Sequence, residues 1–487
     1  MKIEKQSRNL TMLMDFYELT MANGYFVNGK KDTIVVFDLF YRHNPDDGGF
    51  VICAGLEQMI AYIQALHFTE EDIAYLRKRN IFNETFLAYL RKFRFTGTIE
   101  AIPEGTIVYP NTPLITVTAP VIEAQLIETM LLLTINHQSL IATKANRIVR
   151  AAKGRAVLEF GARRAQGYDG AVYGARAAYI GGVSGTATTI ADQWFGVPAV
   201  GTMAHSWIQL FSTEYEAFQA YAEAYMDHCT LLVDTYDVLH SGVKNAIRIA
   251  REILEPNGKR LKGIRIDSGD LAYLSREARK MLDEAQLQDC QIIVSNSVDE
   301  YLMQSLMNQQ ACIDVFAVGE RLITSRSEPV FGGVYKLVAV QEKEVFVPRI
   351  KRSETIEKIT TPGKKTLYRI YQQDGKAIAD YLALEEEIIN PDQPLLLFDP
   401  NAPWKKRWIT NFTVKKLQQP IFQNGELVYQ APALAEIREF VQKQLKNEVF
   451  EEEQRFENPH QHYVDLSTQL HRLKLDMIEA SEKEIKD

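Results

Sequence analysis

Between about residues 155 and 340 the chain repeats one pattern: a short apolar run rich in Val and Ile, followed at once by Asp, Ser, Gly, His or Arg. The runs are AVLEFGARR (156–164), VPAVGTMAHS (197–206), LLVDTYD (231–237), GIRIDSGD (263–270), QIIVSNS (291–297) and DVFAVGER (314–321). Helix-length stretches separate most of them, and the return distance of roughly 25 to 40 residues suits a strand plus a crossover helix. The pattern predicts βα units and a parallel sheet. Ligands of such sheets and barrels bind at the carboxyl ends of the strands, so the polar tails predict the wall of one site. A complete barrel takes about 250 residues, more than this stretch offers, so an irregular, incomplete α/β barrel is expected.

Outside the repeat, residues 8–27 read as a helix with Leu13, Phe16, Tyr17 and Thr20 near one face. VVFDLFYR (35–42) reads as extended, NPDDGG (44–49) as a turn, and 51–92 as mainly helical and amphipathic. From Gly97 to Val121, Pro103, Gly105, Pro110, Pro113 and Pro120 exclude a long helix and predict a small β-rich subdomain. A helix over 124–152 leads into the repeat. After GGVYKLVAV (332–340) come alternating strands, charged turns and the basic PGKK (362–365). From about Ala431 the chain reads as helical, ending in a solvated amphipathic tail. The expected division is an N-terminal α/β domain (1–140), the barrel (141–345) and a C-terminal region (346–487) that packs back on the N-terminal domain.

Length and charge narrow the classes. At 487 residues the chain exceeds one ordinary core. Lys plus Arg 55 against Asp plus Glu 63 gives a net charge of −8 with no basic run, which argues against nucleic acid as a partner. Cys53, Cys229, Cys290 and Cys312 lie far apart without a CxxC pair, as reduced thiols of a cytoplasmic protein would. The charged N-terminus lacks an apolar signal region. The greasiest stretch, Leu126 to Ala142, is broken by Glu128, Asn136 and His137, whereas a membrane span needs about 20 largely apolar residues.

The tails carry the chemistry. GIRIDSGD sets Arg265, Asp267, Ser268 and Asp270 at a strand end, with Gly269 for a tight turn. Carboxylates beside an arginine and free backbone N–H groups suit a sugar phosphate and a divalent cation. Asp and Ser at these places also suit helix caps. Asp234 and Asp237 in LLVDTYD allow the same two readings. SNS (295–297), VGER (318–321) and GGVSGT (181–186) are candidates to cradle phosphate at helix starts, or plain turns. The absence of GxxxxGK[ST] excludes a P-loop route to ATP. His205 ends another run, and no second His or Cys stands at a spacing that suits zinc. Phe160 offers a flat ring for stacking, although a strand Phe is core by default, and Arg163 and Arg164 offer cations for an anion. The tails show neither the paired His ligands of a metal-dependent barrel hydrolase nor the strand-end lysine of an aldolase.

Taken in order, MDFYELTM (14–21), LEFGARRAQG (158–167), GTMAHSW (201–207), LLVDTYD, IRIDSGDL and KRSETIEKITTPGKK (351–365) resemble the nicotinate phosphoribosyltransferases, which have the type II phosphoribosyltransferase fold. The resemblance implies an N-terminal α/β domain and an irregular α/β barrel, assembled as a homodimer with shared active sites. It implies formation of nicotinate mononucleotide and pyrophosphate from nicotinate and phosphoribosyl pyrophosphate in NAD biosynthesis, with Mg²⁺, and with ATP hydrolysis coupled through a phosphohistidine at His205. By the same resemblance Phe160 stacks on the pyridine ring and Tyr17 of the partner subunit closes its other face. Arg265 takes the nicotinate carboxylate, Asp267 the ribose hydroxyls, and Arg163 the phosphoribosyl or pyrophosphate end. Asp234 joins the substrate-binding set. Asn296, Ser297, Gly319 and Glu320 stand where relatives bind the 5′-phosphate, and Glu320 departs from the small residue that many relatives carry. Nicotinamide-using relatives carry an Asp where Ala187 stands here. Alanine removes that acceptor and its repulsion of a carboxylate, which favours the acid over the amide. A quinolinate-using enzyme would want a denser basic pocket and is typically shorter. A nucleotide sensor that has kept the fold without turnover is the non-enzymatic alternative.

Overall fold

The computed structural model describes residues 8–353, 355, 358–400 and 402–484, and for 481–484 the backbone only. Positions 354, 356 and 357 of the KRSETIEKITTPGKK stretch and the last three residues of the expected tail lie outside them. Two compact units form, one from Ile141–Pro329 and one from Met1–Leu140 together with Val330–Asp487.

The Ile141–Pro329 unit holds the repeat. Its strands are β1 (Ala156–Glu159), β2 (Gly185–Thr186), β3 (Thr230–Leu232), β4 (Gly263–Ile266), β5 (Gln291–Val294) and β6 (Val315–Val318). They form one all-parallel sheet in the order β2-β1-β6-β5-β4-β3. Chain-sequential neighbours with β1 beside β6 are the connectivity of a closed barrel opened at one seam, between β2 and β3. Residues 197–204 fall at that seam. VPAVG, expected as a strand, makes one parallel bridge, Thr186 to Ala199. Pro198 O accepts from the Thr186 N–H at 2.9 Å and the Val200 N–H donates to Thr186 O at 2.8 Å, but Pro198 has no N–H with which to continue the ladder. Along the sheet Ile264, Ile266, Ile292, Val294, Phe316 and Val318 are fully buried, as expected of parallel strands covered on both faces.

GGVSGT, read as a phosphate cradle or a plain turn, proves to be the turn at the end of a helix. Gly181 ends the helix Gly167–Gly181, Gly182 caps it at φ 118°, and Ser184 leads into the amino end of β2. A Cβ on Gly181 would stand 2.3 Å from Ala142 O, so glycine here allows close backbone packing.

In the other unit, segments from the two ends of the chain interleave. Ile34–Phe40 pairs antiparallel with both Val334–Glu342 and Ile115–Pro120, and Thr98–Ala101 pairs with Gln419–Gln423, within one seven-stranded sheet. Phe37 stacks on Tyr335 at 4.6 Å between ring centroids. Lys365 of PGKK is buried and pairs with Asp38 at 2.7 Å. A four-stranded sheet adds Lys365–Tyr371, Ala377–Leu384, Thr413–Lys416 and Val464–Leu466. That last strand interrupts the helical C-terminal region expected, and Leu470 of the helix Thr468–Glu484 is fully buried in the core, so the end is more than a solvated tail.

The first helix starts later than the pattern predicts, at Phe16–Val27, because Asn9 Oδ1 accepts the Thr11 N–H at 2.9 Å and the chain turns before Asp15. Its buried face is Glu18, Leu19 and Ala22. The face chosen from periodicity is the exposed one: Leu13, Phe16 and Tyr17 are each more than 40% exposed, and Thr20 is exposed as well. Among the described residues no helix is long and apolar enough to cross a membrane.

Candidate active site

All six strands run the same way, so their carboxyl-end tails share one end of the sheet. At the end of β4, Arg265 Nε donates to Ser295 Oγ at 3.0 Å and Nη2 to Asp267 Oδ1 at 3.1 Å. Nη1 stands 3.5 Å from Thr202 Oγ1. The Ser295 hydroxyl in turn donates to Asp267 Oδ1. The guanidinium carbon lies 5.6 Å from the centroid of the Phe160 ring, which follows β1. Ring and cation therefore line the same spot: a flat face for a planar ring and a planar donor for an anion on it.

His205 opens a short helix after the seam segment. Its Nε2 is 3.2 Å from Asp234 Oδ1, and the side chains are 40% and 1% exposed respectively. Asp234 Oδ2 accepts the Asp267 N–H at 2.9 Å and the Ser268 O–H at 2.6 Å. Both oxygens of Asp234 are thus engaged within the chain, so it stands behind the histidine and the 267–268 turn rather than open to a ligand. A carboxylate only accepts, so Nε2 donates to it, and Nδ1 has no partner among the described residues.

The other candidates separate by role. Asp270 accepts the Tyr273 N–H and Asp237 accepts those of Leu239 and His240, so both are helix caps. Arg163 and Arg164 are exposed on the turn after β1 and make no ion pair among the described residues. Asn296 (φ 85°) and Ser297 (φ 51°) follow β5 in the left-handed region, and their N–H groups donate to nothing among the described residues. Such a turn leaves donors aimed outward, as anion-binding turns do. Gly319 packs against Phe160, where a Cβ would meet Phe160 O at 3.1 Å. Glu320 pairs with Arg326 at 3.0 Å, and Arg321 with Asp299, which directs the Glu320 side chain to a neighbouring cation. Ala187 is exposed at the carboxyl end of β2, its N–H on Glu159 O at 2.8 Å. Tyr17 lies in the other unit, exposed, with its phenol beside the Glu128 carboxylate.

The roles of three residues escape the sequence reading, which has Ser295 only as part of the SNS phosphate candidate. Ser295 is buried and bridges Arg265 and Asp267. Thr202 stands beside Arg265 Nη1. Glu159 is fully buried, accepting the Thr186 hydroxyl at 2.6 Å and the Gly161 N–H, and burial raises its pKa against those hydrogen bonds. The one available signal was a carboxylate inside an apolar strand, LEFG. Among the described residues no three His, Cys, Asp or Glu side chains gather as a metal cage.

An aromatic ring with a guanidinium beside it, a carboxylate on that guanidinium, a left-handed turn with outward N–H groups and a histidine on a buried carboxylate, all at one end of an open parallel barrel, suit a phosphoribosyl-transferring enzyme. Sequence profiles agree and narrow it: the nicotinate phosphoribosyltransferase N-terminal domain matches residues 12–136, the family profile 156–348 and the C-terminal domain 364–474. The nicotinate phosphoribosyltransferase of Bacillus subtilis is 43% identical over 482 residues, covering 98% of this chain and 97% of that protein. The crystal structure of the human nicotinic acid phosphoribosyltransferase superposes with a TM-score of 0.84 at 30% identity, over 96% of this chain and 100% of that one. A nicotinate-nucleotide pyrophosphorylase from Pyrococcus furiosus shares the fold, with a TM-score of 0.69 at 24% identity over 92% of this chain and 97% of that one. The chain belongs to the nicotinate phosphoribosyltransferase family and is an enzyme.

Proposed function

We propose that the enzyme joins nicotinate to phosphoribosyl pyrophosphate and couples that reaction to ATP through His205. As a nicotinate phosphoribosyltransferase it acts in NAD biosynthesis and salvage. The observation that supports the coupling is the His205–Asp234 pair, which engages Nε2 and leaves Nδ1 without a partner among the described residues.

The pyridine nitrogen has its own lone pair, so attack on the anomeric carbon needs no general base. As the C–N bond forms, the bond to pyrophosphate breaks and the leaving group takes the electron pair. The barrier lies in the ribosyl cation and the departing anion. Asp267 beside the ribose meets the first, and Arg163, on its exposed turn, meets the second. Phe160 and Arg265 hold the nicotinate ring and carboxylate, and Asn296, Ser297, Gly319 and Glu320 offer backbone donors to the 5′-phosphate. Ala187 supplies no acceptor for a carboxamide, in keeping with the acid as substrate. Magnesium usually binds through one or two carboxylates plus substrate phosphates, so it needs no protein cage. Asp267 Oδ2, which accepts from no described residue, is the open oxygen for it, and the ion would neutralise the leaving pyrophosphate. In the ATP half-reaction Nδ1 attacks the γ-phosphorus, ADP leaves, and water later returns phosphate and free His205.

The exposed face of Leu13, Phe16, Tyr17 and Thr20 supports a homodimer in which Tyr17 of the partner subunit closes the pyridine site. Four unpaired thiols support a cytoplasmic setting. The test is His205→Ala assayed with nicotinate, phosphoribosyl pyrophosphate and Mg·ATP. Acid-labile phosphoprotein and ATP stimulation should vanish while slower, uncoupled nucleotide synthesis continues. Undiminished phosphorylation would remove His205 from the role.

A further inference from the structure

Arg265, Ser295 and Asp267 form a closed clasp. The Ser295 hydroxyl donates its single proton to Asp267 Oδ1 and accepts from Arg265 Nε at 3.0 Å, while Arg265 Nη2 reaches the same Oδ1 at 3.1 Å. Ser295 is held in place from behind, buried at the end of β5 with its N–H on Ile266 O at 3.1 Å. The register of the parallel pair sets Ile293 against Arg265 and Val294 against Ile266, so Ser295 follows beside Asp267. The two groups assigned to different substrates are therefore tied to each other.

We propose that Ser295 is a positioning residue whose clasp makes nicotinate and phosphoribosyl pyrophosphate bind cooperatively. This rests on the assignment of Arg265 to the carboxylate and Asp267 to the ribose. A nicotinate carboxylate must draw the guanidinium from Asp267, and ribose hydroxyls must draw Asp267 Oδ1 from Arg265 and Ser295. Whichever ligand arrives first opens the clasp, and the second binds without that cost. Linkage then requires each ligand to tighten the other by the same factor. Among the described residues the hydroxyl is the only group that holds both partners at once, so Ser295→Ala leaves a single Nη2 contact and a weaker clasp.

The experiment is calorimetric titration of the full chain with nicotinate, with and without Mg²⁺ and a carbocyclic analogue of phosphoribosyl pyrophosphate. Its ring oxygen is a CH₂ group, so no oxocarbenium-like cation forms and no turnover occurs. In the wild type the analogue should tighten nicotinate about tenfold, within the usual range of coupling between sites. In Ser295→Ala that ratio should fall to within about twofold of unity, and Ser295→Thr, which keeps the hydroxyl, should restore it. A wild-type ratio of one overturns the proposal. So does a Ser295→Ala ratio equal to wild type with both affinities lowered alike, the signature of mere structural damage. Arg265→Ala separates the two layers. If it keeps wild-type affinity for nicotinate, the carboxylate assignment falls and the proposal with it. If it loses that affinity while Ser295→Ala keeps the ratio, only the clasp falls.

Discussion

Replacing Asp234 by Asn changes almost no volume but should reverse the proton on His205. Asp234 Oδ2 accepts from the Asp267 N–H at 2.9 Å and the Ser268 hydroxyl at 2.6 Å, while Oδ1 faces His205 Nε2 at 3.2 Å. An asparagine has one acceptor, and the rigid Asp267 N–H claims it. The NH₂ then points at His205 and requires Nε2 to accept, which moves the imidazole proton to Nδ1 and removes the nucleophilic lone pair. Turning the amide round strands the backbone N–H at about 1–3 kcal/mol, and losing a charged acceptor for the imidazole adds about 1.5–3 kcal/mol. Taking a combined loss of roughly 3–5 kcal/mol at about 1.4 kcal/mol per tenfold, phosphoenzyme formation should slow ~10²- to 10⁴-fold. The assay is single-turnover transfer of labelled γ-phosphate from ATP to protein, read as acid-labile label. Uncoupled nucleotide synthesis, which uses no base, should fall far less. Phosphorylation of Asp234→Asn within threefold of wild type would refute the tautomer argument.

Arg265→Ala should raise KM for nicotinate at least ~30-fold, the worth of about 2 kcal/mol for a charged hydrogen bond, with a smaller effect on KM for phosphoribosyl pyrophosphate. Equal effects on both substrates would show that Arg265 serves another partner. Ala187→Asp should weaken nicotinate about tenfold or more through like-charge juxtaposition and admit measurable turnover of nicotinamide. Competition between the two substrates reads this directly. In the other unit Arg369 is paired by Nε and Nη2 with Asp380 at 2.7 and 2.9 Å, both side chains buried, beside His462. Arg369→Met leaves a buried carboxylate without its main partner and should destabilise by about 3–5 kcal/mol in chemical unfolding. Burial alone would lower the His462 pKa, but Asp380 and Glu453 outweigh it and raise it. That stability is present below the ordinary histidine value of about 6.5 and is lost as pH rises through the raised one. His462→Gln should flatten that alkaline loss, and an unchanged slope in pH-dependent unfolding would contradict the assignment.

The repeat was legible in the sequence because a parallel strand buried on both faces must be apolar along its length, and the residues that follow it must be polar. The five runs that became β1, β3, β4, β5 and β6, and the tails bearing Phe160, Asp234, Arg265, Asp267, Asn296 and Ser297, follow from that alone. The open barrel also followed, since too few units were present to close one. Pairing across long sequence distances was not legible. Nothing local says that Ile34–Phe40 lies beside Val334–Glu342, or that Lys365 buries its charge on Asp38, because register is chosen by the whole sheet. Periodicity found the apolar stripe of the first helix but not its direction, since a stripe facing solvent and one facing the core have the same spacing. The roles within the tails were decided the same way. Asp234, Asp237, Asp267 and Asp270 are equivalent in sequence, each a carboxylate after an apolar run. Only the parallel register of β3, β4 and β5 brings Asp234 to His205 and Ser295 to Arg265, and leaves Asp237 and Asp270 as helix caps.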